Sequence, residues 1–430
     1  MREHMLRTHT KSRLLLAMAC VLGLTATGCG AVDGTGDAWR FSTIDDTTRM
    51  TAWHWDCLRL DSKGDPHVVF HDDVEYGPDF FRARLRDGAW RALAIGQRCA
   101  PRRVRFAIDG KDTLHVLFSP GNSMVNGLTH ACTEDKSWRW TTLYDKPTQA
   151  EKEEMRGGGS YPGTLNDRAS GTSNMAVDEN GGVHVVYVDP ETALLTYGHR
   201  APGEKRWQWE TLENVGDHEV SVSRIFPYVA VSPSGQVWVT YKTYKEGRTS
   251  GGARTVDIKL RLAVKQGAQW KYESVVDGMG FIDGASKIIF GEGDRCAIAY
   301  AANVAEIDST VRMAWPLLQR ADGQWVERYS GEPREQLLAA RWVDGRLRML
   351  MTRVRPDRPD DGTMLQDFLV LLTARDDGKW ATDYLLELHD RQAISGVIGN
   401  QGDLHVVFTR KQGKSTALEY ATLPATALAD

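Results

Sequence analysis

The chain has 430 residues, 41% of them hydrophobic and 26% charged, with 41 Gly and 14 Trp. This composition is globular and excludes a disordered or collagen-like polymer. A formal net charge of −4 gives no global basic field, which argues against nucleic acid as a partner.

The first element is an address. Arg2, Arg7, Lys11 and Arg13 stand against a single acid, Glu3, and residues 14–24 form the apolar run LLLAMACVLGL. A basic start, a short apolar stretch and small residues after it read as a secretory signal peptide over 1–28. The run is too short for a good transmembrane helix. Its ending, Ala26-Thr27-Gly28-Cys29, resembles a bacterial lipobox, with Ala26 where that pattern prefers Leu, Val or Ile. The resemblance implies cleavage after Gly28 and a lipid thioether (a palmitate-type anchor) on Cys29. Gly30 rather than Asp in the next position implies the outer membrane. Cleavage leaves 49 basic and 56 acidic residues, a net charge of −7. Residues 29–37 then form the lipidated Cys and a Gly-rich spacer. The body from 38 to 430 is expected to be exported, cell-envelope tethered and monomeric, touching the membrane through the lipid alone.

The body repeats itself. The phrase Asp61-Ser-Lys-Gly-Asp-Pro-His67-Val-Val-Phe70 returns at Asp109–Phe118, Asp178–Tyr187 and Gly399–Phe408, and more weakly at Ser232–Tyr241, Asp294–Tyr300 and from Asp344. Each copy reads as strand, tight turn, strand: Asp, Asn and Gly suit the turn, and alternating β-branched and aromatic residues suit a half-buried strand. A second phrase, a turn followed by Trp, recurs at Trp90, Trp138, Trp207, Trp270, Trp325 and Trp380. Seven first phrases and six second phrases leave one Trp strand owing. Trp39-Arg-Phe-Ser-Thr-Ile44, at the front, supplies it, so the N-terminal strand should complete the last repeat and close the ring without a free edge. The predicted fold is all-β: a seven-bladed β-propeller of four-stranded antiparallel blades.

The turns Asp87-Gly-Ala-Trp90, Asp322-Gly-Gln-Trp325 and Asp377-Gly-Lys-Trp380 resemble degenerate Asp-boxes of sialidase-type (BNR) propellers, whose box reads Ser-x-Asp-x-Gly-x-Thr-Trp. The Ser and Thr are missing here, and the second and third repeats lack the Asp-Gly. The resemblance implies the architecture and transfers no active-site residue, because the box is a structural turn away from catalysis.

The expected insertions, at 71–79, 119–127, 145–171, 242–255, 301–309 and 353–364, all fall on connections that share one face of a propeller. Long loops on a rigid scaffold are where binding residues usually sit. Candidate ligand-binding residues there are Trp53 and Trp55, which suit stacking on a sugar ring, and Arg102, Arg168, Arg224, Lys242, Arg353 and Arg410, which suit a carboxylate or sulfate. His54, His71 and Asp72 are the candidate general acid–base cluster. No cofactor and no metal is predicted, although His54, His71, Asp72 and Asp73 are chemically able to hold a divalent cation. His67, His115, His184 and His405 share one repeat position that accepts Trp238 in another copy, which assigns them to packing. Cys57 and Cys99, on neighbouring inner strands of an exported chain, are a candidate disulfide. The expected function is a β-propeller binding module for a glycan or an envelope protein. The alternative is a polysaccharide-active enzyme, a lyase or glycoside hydrolase, acting on an anionic glycan.

Overall fold

A computed structural model describes residues 38–45, 56–71, 80–96, 102–119, 128–134, 137–144, 173–189, 192–215, 225–248, 254–279, 286–293, 295–307, 310–354, 367–412 and 415–428. Seven four-stranded antiparallel sheets form the ring. After β1 (Arg40–Asp45), the first blade is β2 (Leu58–Leu60), β3 (Pro66–His71), β4 (Phe80–Arg86) and β5 (Ala89–Gly96). The second is β6 (Arg102–Ile108), β7 (Leu114–Ser119), β8 (Leu128–Glu134) and β9 (Ser137–Tyr144). The third is β10 (Ser173–Val177), β11 (Val183–Val188), β12 (Leu194–Arg200) and β13 (Gln208–Asn214). The fourth is β14 (Tyr228–Val231), β15 (Val237–Arg248), β16 (Arg254–Gln266) and β17 (Gln269–Met279). The fifth is β18 (Ser286–Phe290), β19 (Cys296–Tyr300), β22 (Leu317–Ala321) and β23 (Gln324–Tyr329), with the hairpin β20 (Ala302–Ile307) and β21 (Thr310–Ala314) inserted. The sixth is β24 (Gln336–Val343), β25 (Arg346–Arg353), β26 (Phe368–Ala374) and β27 (Trp380–Glu387). The seventh, β28 (Arg391–Ile398), β29 (Leu404–Gln412) and β30 (Ser415–Leu423), takes β1 as its outer strand.

Ring closure is as expected, with the N-terminal strand completing the last blade. Arg40 faces Thr422 and Phe41 faces Ala421 across the β1–β30 pair. Every inner strand adjoins the inner strands of its two neighbours, and the apolar core lies between blades rather than within any one.

One turn joins inner strand to second strand in most blades. Asp61 Oδ1 accepts the backbone N–H groups of Lys63 and Asp65, each at 3.0 Å. Asp109 does the same for Lys111 and Thr113, and Asp178 for Asn180 and Gly182. The fourth turn position has positive φ: Gly64 at 82°, Asp112 at 62°, Gly181 at 90°, Gly402 at 87°. Gly and Asp tolerate that region best. The other carboxylate oxygen reaches the recurrent histidine. A carboxylate can only accept, so His67 Nε2 donates to Asp61 Oδ2 at 3.2 Å and His184 Nε2 to Asp178 Oδ2 at 3.2 Å. In the seventh blade Gly399 replaces the first Asp, and Asp403 bonds His405 instead. In the fourth, Trp238 donates to Gln236 Oε1 at 2.9 Å. The recurrent position is thus a turn anchor, as the Trp238 substitution indicates.

The second phrase holds blades to one another. Trp90 Nε1 donates to Ser42 Oγ (2.9 Å), Trp270 to Glu210 Oε2 (2.7 Å), Trp325 to Glu273 Oε1 (2.9 Å) and Trp380 to the Arg328 carbonyl (2.7 Å). Each acceptor lies on the outer strand of the preceding blade. Trp39 follows the rule by donating to the Leu385 carbonyl at 3.2 Å, from the seventh blade to the sixth.

Two expected loops are strand instead. β15 continues to Arg248 and β16 begins at Arg254, so most of 242–255 is an extended hairpin. Val256, Ile258, Leu260 and Leu262 alternate with polar residues, which is a strand pattern. Likewise 301–309 falls largely in the β20–β21 hairpin. Among the described residues no helix is long and apolar enough to cross a membrane.

Candidate functional site

The blade order places the short turns on one face, here called the turn face, and the connections after each second and fourth strand on the other, the loop face. Most of the expected site lies on connections outside the described residues. That group comprises Trp53, His54, Trp55, Asp72, Arg168 and Arg224, together with Cys29 and Cys99. His71 and Arg102 are described by backbone only, as the last residue of β3 and the first of β6, paired with Phe80 and Ser119.

Three expected cations are described. Arg353 ends β25, and its Nε bonds Glu335 at 2.5 Å while Nη2 donates to the Tyr329 hydroxyl at 3.0 Å. The Glu335 side chain is fully buried, so this carboxylate is compensated where it stands. Tyr329 also donates to Glu335 at 2.7 Å. Burial and the Glu335 charge raise the Tyr329 pKa, so the phenol stays neutral at physiological pH. Arg410 pairs with Glu419 at 2.8 Å, and Arg391 takes the same carboxylate at 2.9 Å while its guanidinium lies 5.0 Å from the Phe41 ring centre. Arg391 also lies 3.8 Å from Asp390, so the two arginines at the end of the seventh blade face two carboxylates. Lys242 differs from expectation: it sits within β15 at 3% exposure, because β15 runs on past it, and is not presented at a strand end.

Sequence reasoning missed the cations on the ring axis. Asp56, just before β2, pairs with Arg59 at 2.7 Å. Lys287 of β18 and Arg105 of β6 act electrostatically on Asp56, and Tyr228, the first residue of β14, is within range of the same group. These residues come from four inner strands, so they converge on the channel. Protein encloses the pair, yet the Asp56 and Arg59 side chains keep 23% and 30% exposure, so solvent enters. Burial alone would raise the Asp56 pKa, but the Arg59 charge and hydrogen bond, then Lys287 and Arg105, lower it to about 2. Burial and repulsion from Arg59 and Arg105 lower the Lys287 pKa against the attraction of Asp56. Burial and the Asp56 charge raise Tyr228 to about 12. Among the described residues the cluster holds three cations against one carboxylate. Its walls are fixed: Lys287 Nζ donates to the Leu338 carbonyl at 2.7 Å, and Ser395 Oγ accepts the Leu58 N–H at 3.3 Å.

Cys57 corrects the disulfide expectation. It is a free, fully buried thiol, raised to about 12 by burial. The bond to Cys99 is therefore not formed in this structure. Cys57 precedes β2 and is packed into the first-blade core, which draws its sulfur away from solvent.

No family model and no curated protein sequence matches the chain. Solved structures do. Trypanosoma rangeli sialidase in complex with the inhibitor DANA aligns at 12% identity and TM-score 0.42 over 90% of this chain. That alignment spans 60% of the sialidase, so the chain covers about three-fifths of its length. The polysaccharide lyase Uly1 aligns at 9% identity and TM-score 0.48, covering 92% of this chain and 94% of the lyase. The six-bladed fucose-recognising lectin of the fungus Aleuria aurantia aligns at 10% identity and TM-score 0.40, covering 75% of this chain and 92% of the lectin.

Proposed function

We propose that this propeller is an envelope-tethered binding module for an anionic glycan, taken at the channel mouth on the loop face. The observation that carries the reading is the charge at the axis: Arg59, Arg105 and Lys287 from three blades gathered around Asp56, among the described residues. Arg105 and Lys287 add two cations to the Asp56–Arg59 pair, in an enclosed place where Coulomb attraction is stronger than in bulk water. Arg391 and Arg410, beside Glu419 and Asp390, add two guanidinium groups on the seventh blade. A carboxylated or sulfated sugar polymer supplies both the negative charge and the length to reach from one to the other. Neutral glycans lack the charge, and a cationic partner would be repelled.

The tether belongs to this proposal. Ala26-Thr27-Gly28-Cys29 carries it, and Cys29→Ala is expected to move the protein from the membrane fraction to the soluble fraction and to stop palmitate incorporation.

The full chain should be applied in detergent to an array of uronate, sulfated and neutral polysaccharides at low and moderate salt. The expected result is salt-sensitive retention of the anionic members only. Retention of neutral glycans alone, or of none, would sink the reading. Chain cleavage of a retained glycan, lost in His71→Ala, would instead move the protein to the polysaccharide-active enzymes.

A further inference from the structure

The third blade differs from its sisters at one position. In β11 and β12, His184 and His199 stand directly opposite each other. Their rings stack with centroids 4.7 Å apart and planes 27° apart. Asp178, from the turn before β11, reaches the same spot, and one ligand atom from each of the three lies within 4.8 Å of the others. In the first blade the place of His199 is taken by Arg84, opposite His67. Arg84 Nη2 bonds the turn carboxylate Asp61 at 2.6 Å, so a positive charge completes that site. In the second and seventh blades the place holds Cys132 and Thr422. The second blade also stacks two imidazoles, but His130 meets His115 at Nδ1 while Asp109 lies at Nε2, so among the described residues only the third blade converges one ligand atom from each of two imidazoles and a carboxylate.

We propose that Asp178, His184 and His199 bind a divalent transition-metal ion of the zinc class on the turn face. The cation occupies the role that the Arg84 guanidinium fills in the first blade. His184 Nε2 and Asp178 Oδ2 are 3.2 Å apart. Zinc bonds of roughly 2.0–2.2 Å in a tetrahedron put neighbouring ligand atoms roughly 3.3 Å apart, so this edge is already set. The non-ligating atoms are also fixed. Asp178 Oδ1 accepts Asn180 N–H at 2.9 Å and Gly182 N–H at 2.8 Å. His184 Nδ1 is 2.8 Å from the Tyr197 hydroxyl, which serves as donor to the free ring and as acceptor once metal on Nε2 moves the proton to Nδ1. Such outer partners orient metal ligands. The ring nitrogens of His199 have no hydrogen-bond partner among the described residues, and the ring is only half-buried, so its lone pair is available and solvent gives a path in. Binding forms bonds from Asp178 Oδ2, His184 Nε2 and a His199 ring nitrogen to the metal. The single proton of the neutral His184 ring passes from Nε2 to Nδ1, where it is donated to the Tyr197 hydroxyl, so the ring stays neutral, and the fourth position is left to water.

The site lies on the face opposite the channel mouth, and nothing in it depends on the glycan reading. The test is calorimetric titration of zinc chloride into the full chain after chelator treatment at neutral pH, repeated with His199→Ala and Asp178→Asn. Wild type should show one saturable site and a zinc-dependent rise in Tm. Each variant should weaken that site roughly 100-fold or more and lose the Tm rise. Unchanged circular dichroism and zinc-free Tm would show that the variants fold, with His199→Gln as the substitute if His199→Ala does not. Absence of saturable binding in wild type would overturn the proposal. So would binding that survives unchanged in both variants, which would place the metal elsewhere.

Discussion

His67 and His184 are held well below the pKa of a free imidazole, at about 4, chiefly because burial penalises the charged ring. His405 is lowered for the same reason, and His130, in the second-blade core, lies well below the ordinary value. A folded pKa below the unfolded one means that the unfolded chain binds more protons between pH 6.5 and 4. The stabilising contribution is therefore complete above pH 6.5 and declines as pH falls through that window. Two carboxylates held to about 2, Asp56 and Asp109, add a second decline below pH 4. Each of His67 and His184 should cost about 2 kcal/mol between pH 7 and pH 5. Urea midpoints at the two pH values check this: the midpoint should drop, and His67→Gln should make the drop shallower. The anchoring role was legible in the repeats, since Trp238 fills the same position in another copy and also bonds its turn. What the repeat concealed was His199, whose meaning depends on lying across the strand pair from His184.

The Trp at the start of the outer strand is the element-scale device that joins blades at Trp39, Trp90, Trp270, Trp325 and Trp380, whereas Trp207 Nε1 is buried without a hydrogen-bond partner. Trp270→Phe keeps a ring in the fourth blade but removes the donor to Glu210. It should cost about 1–3 kcal/mol, the range for a hydrogen bond to a charged group, read as a lower urea midpoint with unchanged slope. Deleting residues 38–45 removes β1 and Trp39 together. The β30 edge then loses its partner strand, and the expected outcome is loss of the single cooperative transition or self-association, seen by calorimetry and light scattering. Counting seven first phrases against six Trp phrases was enough to place β1, because ring closure is an arithmetic constraint. The segments 242–255 and 301–309 were misread as loops because length beyond the repeat was treated as irregular, although Val256 to Leu262 already alternate at strand period.

At the scale of the whole ring, the charge that matters is assembled by closure. Asp56, Arg105, Tyr228 and Lys287 sit in four different repeats, and no spacing along the chain announces that they meet. Their A-strand positions were readable, but inward direction was not, because an inner strand faces both a neighbouring blade and the axis. Arg353 and Arg410 were foreseen as mouth residues, whereas their carboxylates Glu335 and Glu419 were not, so the sequence overstated the free positive charge there.

The most direct test of the channel reading is titration of a defined polyuronate into wild type and into Arg105→Ala/Lys287→Met, at two ionic strengths. The double variant removes two of the three axial cations while leaving the Asp56–Arg59 pair. Charge-assisted contacts of about 1.5–3 kcal/mol each predict affinity at least tenfold weaker and a flatter salt dependence, with the fold unchanged. Equal affinity and equal salt dependence in the two proteins would contradict an anionic glycan in the channel.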